Sequence, residues 1–128
     1  MPLSTSFLSR LNDAASLRRL LQPAHIEYLR ASFDAMPPGR HRLFQDESRK
    51  VVVWKWRPMA FIPLHGHGEK RCVWRVIDGR FAEAKFHGRG LPSVTIAYGP
   101  GDVAVVEADH QVMNLSDKCG LTLHVYNG

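Results

Sequence analysis

From residue 40 onward the chain is built from short bursts of β-branched and aromatic residues, and this pattern constrains the fold more than any other feature. The stretches VVVWKWRP, RCVWRVIDGRFAEAKFH, SVTIAYGPGDVAVVEAD and LTLHVY alternate with period two, the repeat of strands whose successive side chains point to opposite faces. Turn residues separate them: Pro58, Gly66 and Gly68, Asp78-Gly79, Gly88 and Gly90, then Gly99-Pro100-Gly101. Asp-Gly between alternating runs is a hairpin signal, so a hairpin is expected at Asp78-Gly79. Many short antiparallel strands at this spacing predict an all-β fold, a small barrel or jelly roll.

The first third has a different texture. LSRLNDAASLRRLLQ places Leu8, Leu11, Ala15 and Leu20 near helical spacing, with Ser4 or Ser6 as the N-cap. Pro23 interrupts this pattern, and HIEYLRASFDAM resumes it with Ile26, Leu29 and Phe33 until PPG ends it. Two short N-terminal helices joined at a proline are therefore expected. Residues 1–38 form a helical segment packed on a barrel of residues 39–128, the whole making one domain.

Composition narrows the function. The 128 residues are 45% hydrophobic and 23% charged, values of an ordinary globular chain with room for a core. No apolar run reaches the roughly 18 to 20 residues of a membrane helix, and the first residues lack the features of a secretion leader. A cytoplasmic protein with no membrane partner is expected. Cys72 and Cys119 are the two cysteines, too few for a secreted disulfide framework, so free thiols are expected. The net charge of +5 comes from scattered Lys and Arg without a helix-turn-helix, zinc-finger or RNP-like motif. That argues against nucleic acid as a partner and for a positive field that draws in small anions.

The chemistry gathers around histidines. In PLHGHGEKRC, His65 and His67 are separated by Gly66, and residues two apart on a strand share a face, so the pair can grip one ion. His110 closes a second run, GPGDVAVVEADHQVMN, and is followed by Asn114. Together these segments resemble the two motifs of the cupin superfamily, G-x5-H-x-H-x3,4-E-x6-G and G-x5-P-x-G-x2-H-x3-N. Gly79 falls close to the first motif's last glycine. The carboxylate slot holds Arg71 or Cys72 instead of Glu, and Glu69, too near His67, caps a solvated turn. Without that carboxylate a divalent ion keeps its full charge among neutral imidazoles. Such a site favours anionic ligands, above all a thiolate, although zinc also accepts three histidines.

Cys72 gives the resemblance a finer grain. HGHGEKRCVWRVIDGRF resembles the H-x-H-x4-C segment of the thiol dioxygenases, specifically the cysteine dioxygenase type I family. DHQVMNLSDKCGLTLHVY is similar to that family's H-x-V-x-N-x-S and S-L-H-x-Y segments. The resemblance runs from about residue 40 to the C-terminus. It implies a small cupin β-barrel with Fe(II) held by His65, His67 and His110, and a thioether between Cys72 and Tyr126, as in some family members. It also implies a catalytic row of Thr122, His124 and Tyr126. The alternation supports that row independently, because these three share one strand face while Leu121, Leu123 and Val125 share the other.

The same resemblance assigns Arg42 to the substrate carboxylate, a task suited to the guanidinium fork, with Arg40 standing where the family has a tyrosine. Trp56, nine residues before His65, matches a family tryptophan and joins Arg42 in the substrate pocket. The implied reaction converts a small carboxylated thiol, such as cysteine or 3-mercaptopropionate, and O2 to a sulfinate. The chain stops at VYNG, earlier than family members, so the pocket is expected either to be more open or to be completed by a second subunit of a homodimer. Two other readings stay open: a cupin dioxygenase acting on a non-thiol substrate, and a non-catalytic cupin that binds a metal or small ligand.

Overall fold

In a computed structural model of the chain, the described residues are 3–65, 71–86, 94–106 and 109–127. Among them, α1 (Thr5–Leu8), α2 (Ala14–Arg19) and α3 (Pro23–Asp34) precede the strands. β1 (Gly39–Gln45), β2 (Arg49–Trp56), β4 (Arg71–Asp78), β7 (Val103–Val106) and β9 (Gly120–Asn127) form one antiparallel sheet in the order β1-β2-β9-β4-β7. β3 (Phe61–His65), β5 (Phe81–Phe86), β6 (Val94–Tyr98) and β8 (Asp109–Asn114) form the other in the order β3-β8-β5-β6. This is the expected all-β architecture with short N-terminal helices.

The centre of the five-stranded sheet, β2, β9 and β4, is buried on both faces, and the alternation in β9 shows how. Leu121, Leu123 and Val125 join Val51 and Val53 in a core with Leu8, Leu11, Leu17, Leu21 and Leu29 of the N-terminal segment. Fully burying one such leucine contributes about 1.5–3 kcal/mol, so the helices are held by the sheet rather than by their own short turns. The opposite face carries Trp56, Cys72, Trp74 and Val76, which pack with Phe81 and Val112 of the other sheet. Cations pin the N-terminal segment to this sheet. Arg75 donates to the Leu17 carbonyl at 2.7 Å, Arg49 donates to that of Ser9, and Lys55 reaches three carbonyls at the C-terminus of α3, those of Phe33, Asp34 and Met36.

Two expectations fail, each for a local reason. The first predicted helix is two, α1 and α2, because Asp13 accepts from the Ser16 N–H at 2.8 Å and starts a new helix instead of continuing the old one. Pro23 then begins α3 as its first residue, the position proline tolerates best. Asp78-Gly79 is not a hairpin: β4 and β5 lie in different sheets, and the turn carries the chain from one to the other. Gly79 has φ 100°, and a Cβ there would stand 3.2 Å from the Gly120 Cα, so only glycine fits this crossing. The Gly66, Gly68, Gly88 and Gly90 turns lie outside the described residues.

Candidate metal and oxidation site

Thr122, His124 and Tyr126 lie on the face of β9 that looks into the space between the sheets. Thr122 Oγ1 pairs with His124 Nε2 at 2.8 Å and accepts the Trp56 indole N–H at 2.8 Å. Thr122 is fully buried, and His124 nearly so, so these bonds occupy polar atoms that would otherwise cost stability. The His124 ring stacks on Trp74 at 5.7 Å between centroids and on Tyr126 at 5.9 Å. Trp56, assigned from the sequence to the substrate pocket, is 3% exposed and serves as the hydrogen-bond donor that holds Thr122.

Tyr126 faces Cys72 directly across the β4–β9 ladder and Lys50 across β2–β9. Of the two residues in the carboxylate slot, Arg71 is exposed and Cys72 is buried against this interior. Burial pushes the Cys72 thiol up to about 12, with the Glu83 charge adding to the rise and Arg40 opposing it. Burial likewise pushes the Tyr126 hydroxyl up to about 12, with Cys72 adding and Arg40 opposing. Both groups therefore keep their protons at neutral pH.

Arg42 is not brought to this group. Its guanidinium donates to Gln45 Oε1 at 2.7 Å, and its side chain is exposed. Arg40 is there instead, with its guanidinium carbon 5.1 Å from the Trp54 ring centre and 5.8 Å from that of Tyr126. The two arginines alternate on one face of β1, but the pairing partner of Arg40 is Trp54, which sits beside the row, while that of Arg42 is Val52, with a bulge next to it.

On the opposite sheet His110 is 4% exposed, and its Nδ1 lies 2.7 Å from Glu83 Oε2. In the β3–β8 ladder position 65 stands opposite His110, so the backbone brings two of the three candidate metal ligands to one register position. The side chain of His65 and all of His67 lie outside the described residues. An imidazole backed by a carboxylate, as His110 is by Glu83, is a common arrangement of a metal-binding histidine.

Glu83, Tyr98 and Arg40 were not singled out by sequence reading as parts of the site. Glu83 carries no local signal, because in FAEAKF it shares a face with Phe81 and Lys85 while Ala82, Ala84 and Phe86 form the all-apolar one. Tyr98 donates to Glu83 Oε1 at 2.9 Å from the neighbouring strand, a contact fixed by strand pairing that no local pattern announces. Asn114 of the second motif is fully buried but ties together the loops at Arg57, Ser116 and Lys118 rather than the site.

No family model matches the sequence, and no curated protein matches it. In structure the chain is similar to the protein BH2720 of Bacillus halodurans, with a TM-score of 0.70 and 16% identity over 77% of this chain and 76% of that one. It is also similar to the cupin domain of Schizosaccharomyces pombe Cnp3, with a TM-score of 0.64 and 12% identity over 74% of this chain and 70% of that one. A third is an oxalate decarboxylase of Lactobacillus farciminis, with a TM-score of 0.56 and 20% identity over 63% of this chain and 24% of the enzyme. At such identities the likeness establishes the fold alone. The chain has the cupin fold, a fold whose members include enzymes.

Proposed function

We propose that this chain is an iron(II)-dependent thiol dioxygenase that converts a small carboxylated thiol to its sulfinate. The observation that carries this reading is the pairing of Cys72 with Tyr126 beside a hydrogen-bonded Thr122–His124 pair, with a buried histidine, His110, on the facing sheet. Iron(II) at His65, His67 and His110 would supply the redox chemistry that thiols and dioxygen lack on their own. One thiol and one dioxygen give one sulfinic acid, so the reaction balances without an external reductant.

The chain's own residues supply position and proton control. Arg40 offers a guanidinium at the edge of the row, where it can pair with both oxygens of a substrate carboxylate. Tyr126 keeps its proton at neutral pH and so can donate a hydrogen bond toward the reacting oxygen atoms. His124, locked by Thr122 on one side and stacked between Trp74 and Tyr126, keeps the tyrosine ring in place. The apolar wall of Trp56, Val76, Phe81 and Val112 excludes water from the interior.

The test is oxygen uptake by iron-loaded protein offered a panel of thiols with and without carboxylates, scored together with metal content. Uptake with at least one carboxylated thiol supports the assignment. Bound iron without uptake for any thiol points to a metal-binding cupin without this activity.

A further inference from the structure

We propose that Glu83 is the positioning residue of the metal centre: it fixes which nitrogen of His110 faces the interior, and Tyr98 locks it in that task. This rests on the reading of His110 as a ligand and identifies the part of the molecule that makes it one.

Glu83 is fully buried, as few carboxylates are. A buried carboxylate is costly unless its oxygens are occupied, and an aliphatic side chain at this position would fill the core without that cost. Its contacts are specific. Oε2 meets His110 Nδ1 at 2.7 Å, Oε1 accepts from the Tyr98 hydroxyl at 2.9 Å, and the Lys85 ammonium stands 3.9 Å from Oε1. Lys85 is itself anchored to the Val105 carbonyl at 3.1 Å. Glu83 on β5 is thereby tied to β6 and β8 at once.

An ionised carboxylate only accepts hydrogen bonds. With the carboxylate accepting, Nδ1 of His110 carries the hydrogen, and Nε2 is the nitrogen through which the ring would bind a metal. The carboxylate also strengthens the imidazole as a donor, and loss of such a partner typically weakens metal binding 10- to 100-fold. Tyr98, holding the other oxygen, prevents the carboxylate from turning away from the ring.

The experiment uses cobalt(II) as the probe on the full chain, comparing wild type with Glu83→Gln and Tyr98→Phe. Affinity is measured by titration, the cobalt absorption spectrum reports the coordination, and nitrogen NMR of the metal-free protein reports the His110 tautomer. We expect a single Nδ1–H form in wild type and a mixed population in Glu83→Gln, with cobalt affinity reduced about 10- to 100-fold. Tyr98→Phe should give a smaller loss in the same direction, and it keeps the test alive if Glu83→Gln does not fold. An Nε2–H form in wild type, or equal affinities in all three proteins, overturns the role of Glu83 and leaves the metal reading standing. Wild type that takes up no cobalt overturns both.

Discussion

Cys72 and Tyr126 are directly opposed residues of neighbouring antiparallel strands, and burial raises the resistance of both to ionisation, with Cys72 adding to the rise at Tyr126. Directly opposed side chains on one face approach to about 4.5–5.5 Å between Cβ atoms. That is the geometry a covalent bridge between thiol and ring requires. Forming the thioether would join the sulfur to a ring carbon with loss of one hydrogen from each, and one dioxygen would take up both as hydrogen peroxide, a reaction that bound iron would promote. A denaturing gel of iron-loaded, aerated protein should show two bands for wild type and one for Tyr126→Phe or Cys72→Ser.

Without the bridge, the same pair makes stability fall at alkaline pH. Unfolded, the thiol ionises near 9.0 and the phenol near 10.0, whereas folded they hold their protons to about 12. Between these limits the unfolded chain binds fewer protons, so unfolding becomes easier as pH rises from about 9 to about 12. The effect is on the order of a few kcal/mol. Denaturant melts across this window should show a shallower decline for Tyr126→Phe than for wild type.

Thr122 is the junction of the Trp56 and His124 bonds. Thr122→Val keeps the shape but removes the hydroxyl, leaving the buried indole N–H without its acceptor. A loss of about 1–3 kcal/mol is expected in urea unfolding. Thr122→Ser, which keeps the hydroxyl, should restore most of the lost activity even where stability stays reduced.

The proposed function gives the two arginines of β1 different roles. Arg40→Gln should raise KM for a carboxylated thiol by about tenfold or more, the loss of a charge-assisted contact. Arg42→Gln, whose guanidinium is engaged with Gln45, should stay within about twofold of wild type. Steady-state kinetics on both variants checks the assignment, and a reversed order would return the role to Arg42.

Sequence reading reached the strands because their alternation is local, and it reached the polar row because Thr122, His124 and Tyr126 lie on one strand. It stopped where the site depends on pairing between distant segments. Asp78-Gly79 looks the same from within whether the chain turns back or crosses to another sheet; the close approach of Gly120 belongs to the crossing that is found. Arg40 and Arg42 are equivalent by period, and only the register with Trp54 and the bulge after Arg42 distinguish them. Glu83 reads as one solvated charge among many until β5 is placed between β6 and β8.

The most direct measurement is the product mass after reaction of iron-loaded protein with a carboxylated thiol under 18O2. The account predicts a sulfinate carrying two labelled oxygen atoms on sulfur, at a level abolished in His110→Ala. A product labelled at carbon, or a disulfide with no added oxygen, would contradict it.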